Sequence, residues 1–452
     1  MTQQGAQRIA VIGSGISGMA AGWYLSARHE VTLFEAAPRL GGHTATVDVA
    51  VNGDTYAIDT GFIVFNDWTY PHFQRLLDTL EVAAQPTEMS FSVHETGRDF
   101  EYNGHTLGSL FAQRRNLLSP AFYRLLREIM RFNRDATRDL DQQRLASAMT
   151  LGDYLDQQGY GEAFQRRYLL PMGAAIWSAS LTDLRGFPLA FFVRFFRNHG
   201  LLSLTHRPQW YTVAGGSRAY IPALTAPYAE RIRLNTPVVA ITRDATRVTV
   251  TTAAGSERFD RVVLACHADQ ALALLVDAAP VEREVLGAMP YQDNEVVLHT
   301  DTRLLPRRRR AWASWNYRLD RRDARDAVSV TYNMNILQRL SADTTFCVTL
   351  NDSESIDPAR VLKRFTYAHP RFTLGGQAAQ ARHAEISGAT ATHGRTHFCG
   401  AYWRNGFHED GVWSALRVAR ALGCDEPAAP PSPPTALPAH DLLPDAGPGD
   451  MG

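Results

Sequence analysis

Gly13, Gly15 and Gly18 stand in "GSGISG", between the apolar run "RIAVI" and the helically spaced "ISGMAAGWYLS". Glycines at this spacing meet three needs: a tight turn at Gly13, close approach of backbone to a pyrophosphate at Gly15, and close packing of helix on strand at Gly18. A helix that starts here, with Ser14, Ile16 and Ser17 completing the turn, aims amides and the positive end of its dipole at phosphate. Glu35 closes a second apolar run about 20 residues on, where a carboxylate binds the ribose hydroxyls of an adenosine. A lone G-x-G-x-x-G would read as an ordinary tight turn; with the strand, the helix and Glu35 it predicts dinucleotide binding. A plain nicotinamide domain would continue as alternating strand and helix, but here "AAPRLGGHTATV" follows at once. Its Ala36, Arg39, Gly41, Gly42, His43 and Thr44 predict a second glycine turn folding a loop over the same ligand.

The chain that must position these residues has 452 of them, enough for two or more lobes. Lys+Arg and Asp+Glu balance at 46 each, so no global field draws nucleic acid or an anionic membrane, and such a partner would be met locally. Cys266, Cys347, Cys399 and Cys424 have neither metal-ligand spacing nor a Cys-x-x-Cys, which predicts buried thiols in a reducing compartment and no metal. Only "MTQQGAQ" precedes the first strand and no run is long and apolar enough for a span, so the expected location is the cytoplasm.

The segments "GSGISGMAAG", "E" and "PRLGGHT" resemble the flavin-dependent amine oxidase superfamily, which also holds protoporphyrinogen oxidases and carotenoid desaturases. The resemblance implies FAD, with Glu35 on the adenosine ribose and Arg39, Gly41 and Gly42 along the pyrophosphate and ribityl chain. In "YAIDTGFIVFN" it implies Gly61, Phe62 and Ile63 against the flavin ring, and it gives Val238 or Val239 a backbone contact with adenine. "WYTVAGGSRAYIPAL" carries the family's glycine pair, Gly215 and Gly216. "THFCG", ending at Gly400, reads as a short buried strand, and "GFHEDGVWSALRVARAL" resembles the family's C-terminal signature. There Gly411 and the Val412 amide would face the N1 and C2 carbonyl edge of the flavin, where a positive helix end favours the charge that reduction brings. An ordinary surface helix capped by Asp410 is the alternative. "GAYW" stands where many members carry Gly-Thr-Glu.

The expected fold is α/β: a Rossmann-like FAD-binding domain, mixed sheet plus β-meander, with an inserted α+β substrate domain. FAD-binding segments are placed at 1–85, 206–285 and 386–426, a mainly helical insertion at 86–205, and substrate-domain sheet and helix at 286–385. Residues 427–452, rich in Pro, Ala and Gly, are expected to be disordered. "LLSPAFYRLLREIMRFNRDATRDL", "TLGDYLDQQGY" and "FPLAFFVRFFRNHG" read as helices. The last carries an apolar Phe face expected to pack in a core, with a tunnel or membrane-facing patch as the alternative. Trp177, Trp315, Tyr332, Asn333 and Trp403 are candidate substrate contacts. Arg307, Arg308, Arg309 and Arg310 form the one concentrated basic run, by default a solvated turn and otherwise a site for phospholipid headgroups or an acidic acyl carrier.

Amine oxidases of the family commonly place a lysine near the flavin, yet the sole lysine, Lys363, falls in "DPARVLKRF", read as an exposed helix. "PMGAAIWSA", "PRRRRAWASWNY" and "GFHEDGVWSAL" together resemble bacterial FAD-dependent oxidoreductases associated with cyclopropane-fatty-acid-synthase-like enzymes. That resemblance implies an oxidoreductase that takes a hydride from a hydrophobic substrate, desaturating or rearranging a double bond in an unsaturated fatty acyl chain. A peroxide-releasing amine oxidase and a non-catalytic flavin protein docked on a membrane are the alternatives. No catalytic base is singled out: His43, Tyr332, His408 and Glu409 are the candidates. With no second glycine fingerprint, no NAD(P)H site is expected.

Overall fold

Arg8–Ile12 and Glu30–Phe34 are short apolar runs buried at every position after the first, the pattern of strands covered on both faces. The structure, a computed structural model, describes residues 5–203, 205–319, 329–390 and 394–426. The tail expected to be disordered lies outside them. The two strands pair in parallel at the centre of a five-stranded sheet ordered Ile232–Arg233, Glu30–Phe34, Arg8–Ile12, Arg261–Leu264, Thr396–Phe398. Every neighbouring pair in it is parallel, so the sheet is not mixed. Antiparallel pairing in this half belongs to smaller sheets, among them a separate meander of Val238–Arg243, Val248–Thr252 and Gly255–Phe259.

Two helices from opposite ends of the chain cover one face of the sheet, Ile16–Ser26 and His408–Ala421. They approach closely because Gly411 has no side chain: a Cβ there would lie 2.7 Å from Ile16 Cγ2 and 2.8 Å from Ser17 Oγ. Both N-termini are thereby set side by side. The meander covers the other face, where Phe259 meets Phe34 edge to face.

The second lobe is built on a seven-stranded sheet ordered Val361–Pro370, Tyr291–His299, Cys347–Leu350, Val330–Asn333, Trp315–Leu319, Phe91–Glu95, Phe100–Asn103. Its last two strands come from the stretch read as mainly helical, so both insertions build one sheet. The predicted helices are present at Pro120–Asp141, Leu151–Gln157 and Leu189–Asn198. Ser119 caps the first through its hydroxyl, and Thr150 and Asp153 cap the second reciprocally. Phe192 and Phe196 stack 4.1 Å apart inside the helical core, which is the use of that face expected from sequence.

Lys363 is a correction. It lies in a strand, Val361–Pro370, because that segment pairs antiparallel with Tyr291–His299 along nearly its whole length, and this pairing outweighs helical propensity. The side chain is exposed and stands over Phe365.

Candidate active site

Glu35 leaves the sheet at the end of its strand and turns back on the glycine loop. Its Oε2 accepts from Ser14 N at 2.9 Å and Ser14 Oγ at 2.5 Å, and its Oε1 from Ala37 N at 2.8 Å. Gly13 takes φ +102°, a conformation that suits glycine, and so turns the chain into the helix. The helix starts at Gly15 with no side-chain cap, which leaves its first amides to a ligand. A Cβ on Gly15 would meet no atom within 4 Å. Arg39 staples the second glycine turn by donating to the carbonyls of Gly42 at 2.9 Å and Thr44 at 3.1 Å. Phe62 N donates to His43 O at 2.8 Å, which sets the 61–63 segment against that turn. An uncapped helix start opening on empty space, a carboxylate at the adjoining strand end and a buried, unpartnered His43 Nε2 fit FAD.

Gly13, Ser14, Gly15, Glu35, Gly41, Gly42, His43, Thr44, Gly61 and Phe62 are thus brought together, with Arg39 bracing the turn and Ala36 exposed beside it. Ile63 lies under the turn in the core of the second lobe, and its carbonyl accepts from Thr212 Oγ1. Val238 is half-buried and Val239 exposed beyond the loop whose Thr236 N donates to Glu35 O. The Ser17 side chain packs on Gly411, and its carbonyl accepts from Cys399 Sγ. Ile16 packs there too, and Gly400 N donates to Ser414 Oγ of the closing helix.

The start of the closing helix requires a correction. Gly411 N donates to Phe407 O at 3.1 Å, the first bond of the helix, so neither Gly411 nor Val412 offers a free amide. The unspent amides are those of His408, Glu409 and Asp410, since Asp410 Oδ2 takes the Phe407 amide at 2.9 Å.

The four candidate bases separate by their partners. His408 stacks on Phe62 at 3.5 Å, and its Nε2 lies 3.0 Å from Thr44 Oγ1 and 3.1 Å from Tyr220 Oη; burial holds its pKa well below the ordinary value. Burial raises the Tyr332 hydroxyl, which points to Ala175 O at 3.5 Å. Glu409 caps the Pro71–Thr79 helix, accepting from Phe73 N at 2.9 Å and His72 N at 3.3 Å. His43 keeps an unspent ring nitrogen at the turn, and burial pushes its pKa down to about 3.

Glu409 gives a pH prediction. Burial raises its pKa from 4.5 to about 7, so the folded protein holds the proton more tightly than the unfolded chain does. The resulting stability is fully present below about pH 4.5 and is lost as pH rises through 7. Subtracting the stability of Glu409→Gln from that of the wild type should give a difference that falls by on the order of 2–3 kcal/mol between pH 4.5 and 7.5. A difference flat with pH in denaturant titrations would refute the assignment.

A cleft of ≈ 220 Å³ lies beside the turn, between the helical insertion and the seven-stranded sheet. Trp177, Phe187 and Phe372 form an aromatic wall, and Gln292, Asn294 and His369 line the sheet side. The ion-paired Arg371 and Asp183 stand partly exposed at its solvent end. His369 lies 5.2 Å from the His43 ring, so the cleft reaches the glycine turn. Asn294, 3.0 Å from His369 Nδ1, donates to it through Nδ2 and leaves the imidazole proton on Nε2. Burial lowers the His369 pKa to about 4. His267 and Tyr367 complete the ring cluster around His43.

Of the candidate substrate contacts, Trp177 lines the cleft with its Nε1 buried and unpartnered. Trp315 and Tyr332 pack edge to face, 5.1 Å apart. Asn333 is spent capping the Met334–Leu337 helix, and Trp403 lies in the core of the nucleotide-binding half against His383. The sequence reading missed His369, Asn294, Gln292 and Phe372. An i, i+2 signal was present in Gln292 and Asn294 and in Tyr367 and His369, each pair on one face of its strand. In the basic run, Arg308 is neutralised by Asp99 and Glu101, and Arg309 lies over Trp312.

The sequence model of the flavin containing amine oxidoreductases matches residues 16–317, more than half of the chain. The chain belongs to this family. FAD is its cofactor, and the protein is an FAD-dependent oxidoreductase of the amine oxidase superfamily. No curated protein matches the sequence. Among solved structures, a putative protoporphyrinogen oxidase from Exiguobacterium sp. 255-15 is 19% identical, covering 93% of this chain and 99% of its own, with TM-score 0.64. A CLA-producing fatty acid isomerase from P. acnes is 17% identical, over 92% of this chain and 98% of its own, with TM-score 0.65. Putrescine oxidase bound to putrescine is 15% identical, over 92% and 99%, with TM-score 0.64. At these identities the likeness is one of fold.

Proposed function

We propose that this oxidoreductase acts on an unsaturated fatty acyl chain, desaturating it or moving a double bond. The observation that carries the reading is the cleft beside His43: an aromatic wall faces neutral amide and imidazole groups, and its carboxylate, Asp183, is already paired with Arg371. A cationic amine would find no uncompensated acid there, whereas an apolar chain gains from burial against Trp177, Phe187 and Phe372. Lys363 stands six residues along its strand from His369, roughly 20 Å away. Solved neighbours that act on amines and on fatty acids have equal likeness, so the choice rests on the cleft.

When bound, FAD supplies the acceptor for an allylic hydride. The protein's residues hold and shield the chain: the aromatic wall excludes water, and Trp177 Nε1 offers an unspent donor. The His369 lone pair at Nδ1 is taken by Asn294, so this ring donates from Nε2, while His43 Nε2 has no partner within the protein.

The test is anaerobic mixing of the FAD-loaded protein with unsaturated fatty acids and, separately, with a panel of amines. Absorbance of the flavin and mass spectrometry of the products are followed. The expected result is an altered double bond in the fatty acid, with no amine bleaching the flavin. Bleaching by amines with peroxide release in air would replace this reading by amine oxidation, and change with neither would remove it.

A further inference from the structure

Large apolar side chains exposed to water cluster on one side of the helical insertion. Leu118 is 88% and Leu107 77% exposed, and Leu117, Tyr123 and Met130 are exposed as well. Tyr123 Oη donates to Leu117 O at 3.0 Å, tying the turn before the Pro120–Asp141 helix to its first residues. Along that helix Tyr123, Arg127, Met130 and Arg134 fall at i, i+4, i+7 and i+11, a single exposed stripe that alternates apolar and cationic groups.

The basic run adjoins this surface. Asp99 bridges Arg115 at 3.1 Å and Arg308 at 3.2 Å, and the Leu107–Leu110 helix packs on the Arg309–Ala311 turn. Among the described residues, no carboxylate pairs with Arg114, Arg124, Arg127, Arg309 or Arg310. The surface is therefore positive although the whole chain is neutral.

We infer that this face docks on an anionic phospholipid bilayer, with Leu107, Leu117, Leu118 and Tyr123 entering the headgroup layer and the unpaired arginines meeting lipid phosphates. The charge is complementary to an anionic leaflet, and projecting leucines among arginines are what an interfacial surface needs. A nucleic acid would use the arginines and gain nothing from the leucines. No helix among the described residues is long and apolar enough to cross a membrane, so the contact is peripheral. The inference stands whatever the substrate.

The test is co-sedimentation of the FAD-loaded full chain with vesicles of phosphatidylcholine alone and of equimolar phosphatidylcholine and phosphatidylglycerol. Leu107→Asp/Leu118→Asp and Arg114→Glu/Arg310→Glu are compared; all four positions face solvent, and bound FAD and Tm report that the fold is kept. The wild type should partition onto the anionic vesicles only, more weakly as salt rises, and each double variant should lose at least about tenfold in partition. Three results would overturn the inference: no partition onto anionic vesicles, partition unchanged in both variants, or self-association abolished by the leucine changes without vesicle binding. Binding to heparin but not to vesicles would overturn it in favour of a soluble polyanion.

Discussion

Gly15→Val is expected to give a folded protein that no longer retains FAD. The position has φ −61° and ψ 174°, which valine adopts without strain, and the space a Cβ would fill is empty of protein. The side chain therefore costs the fold little, but it stands where a pyrophosphate must approach the first amides of the Ile16–Ser26 helix. Losing two charge-assisted hydrogen bonds is worth roughly 3–6 kcal/mol, or ~10²–10⁴ in affinity. Gly18→Ala is the contrasting control, since its Cβ would lie 1.9 Å from Gly13 O and the damage there is to the turn itself. Circular dichroism together with flavin absorbance after purification separates the two. Yellow Gly15→Val protein with wild-type FAD content would show that the cofactor does not lie on this helix start.

Arg243→Met should cost about 3–5 kcal/mol, because it strands a carboxylate in the core. The side chains of Arg243 and Glu282 are 2% and 0% exposed, and the guanidinium donates to Glu282 at 2.6 and 2.8 Å, to Asp277 at 3.1 Å and to Thr396 at 3.3 Å. It thus joins the meander, the Pro280–Gly287 helix and the edge strand of the parallel sheet. In a domain set of this size the loss corresponds to a fall in Tm of about 5 °C. Arg243→Met/Glu282→Met removes both charges and should recover most of the loss, short of the bond that Glu282 makes to Ala279 N. A single variant as stable as the wild type, or a double variant no better than the single, would contradict this.

The nucleotide-binding half was legible because its signals are local. A strand, a glycine turn and a helix follow one another in "RIAVIGSGISG", and Glu35 ends the next strand, so spacing along the chain reports position in space. The start of the closing helix was legible as a cap pattern, but its free amides were placed on Gly411 and Val412, just past the three that are unspent; only the bond from Gly411 N to Phe407 O fixes the count. The substrate side was less legible because long-range register builds it. His369 stands opposite Gln292 and meets Asn294 only because two strands some 75 residues apart pair with that register. The same register turned the expected Lys363 helix into a strand. Trp403 and Asn333 are residue types that suit a pocket equally well as they suit a core or a cap, and the fold spent them on the latter.

Titration of the FAD-stripped protein with FAD and, in parallel, with FMN asks directly whether the first glycine turn and Glu35 hold an adenosine diphosphate moiety. One FAD per chain should bind tightly, with FMN at least about a hundredfold weaker because it lacks the half that these residues grip. Uptake of neither, or of both with equal affinity, would contradict that assignment.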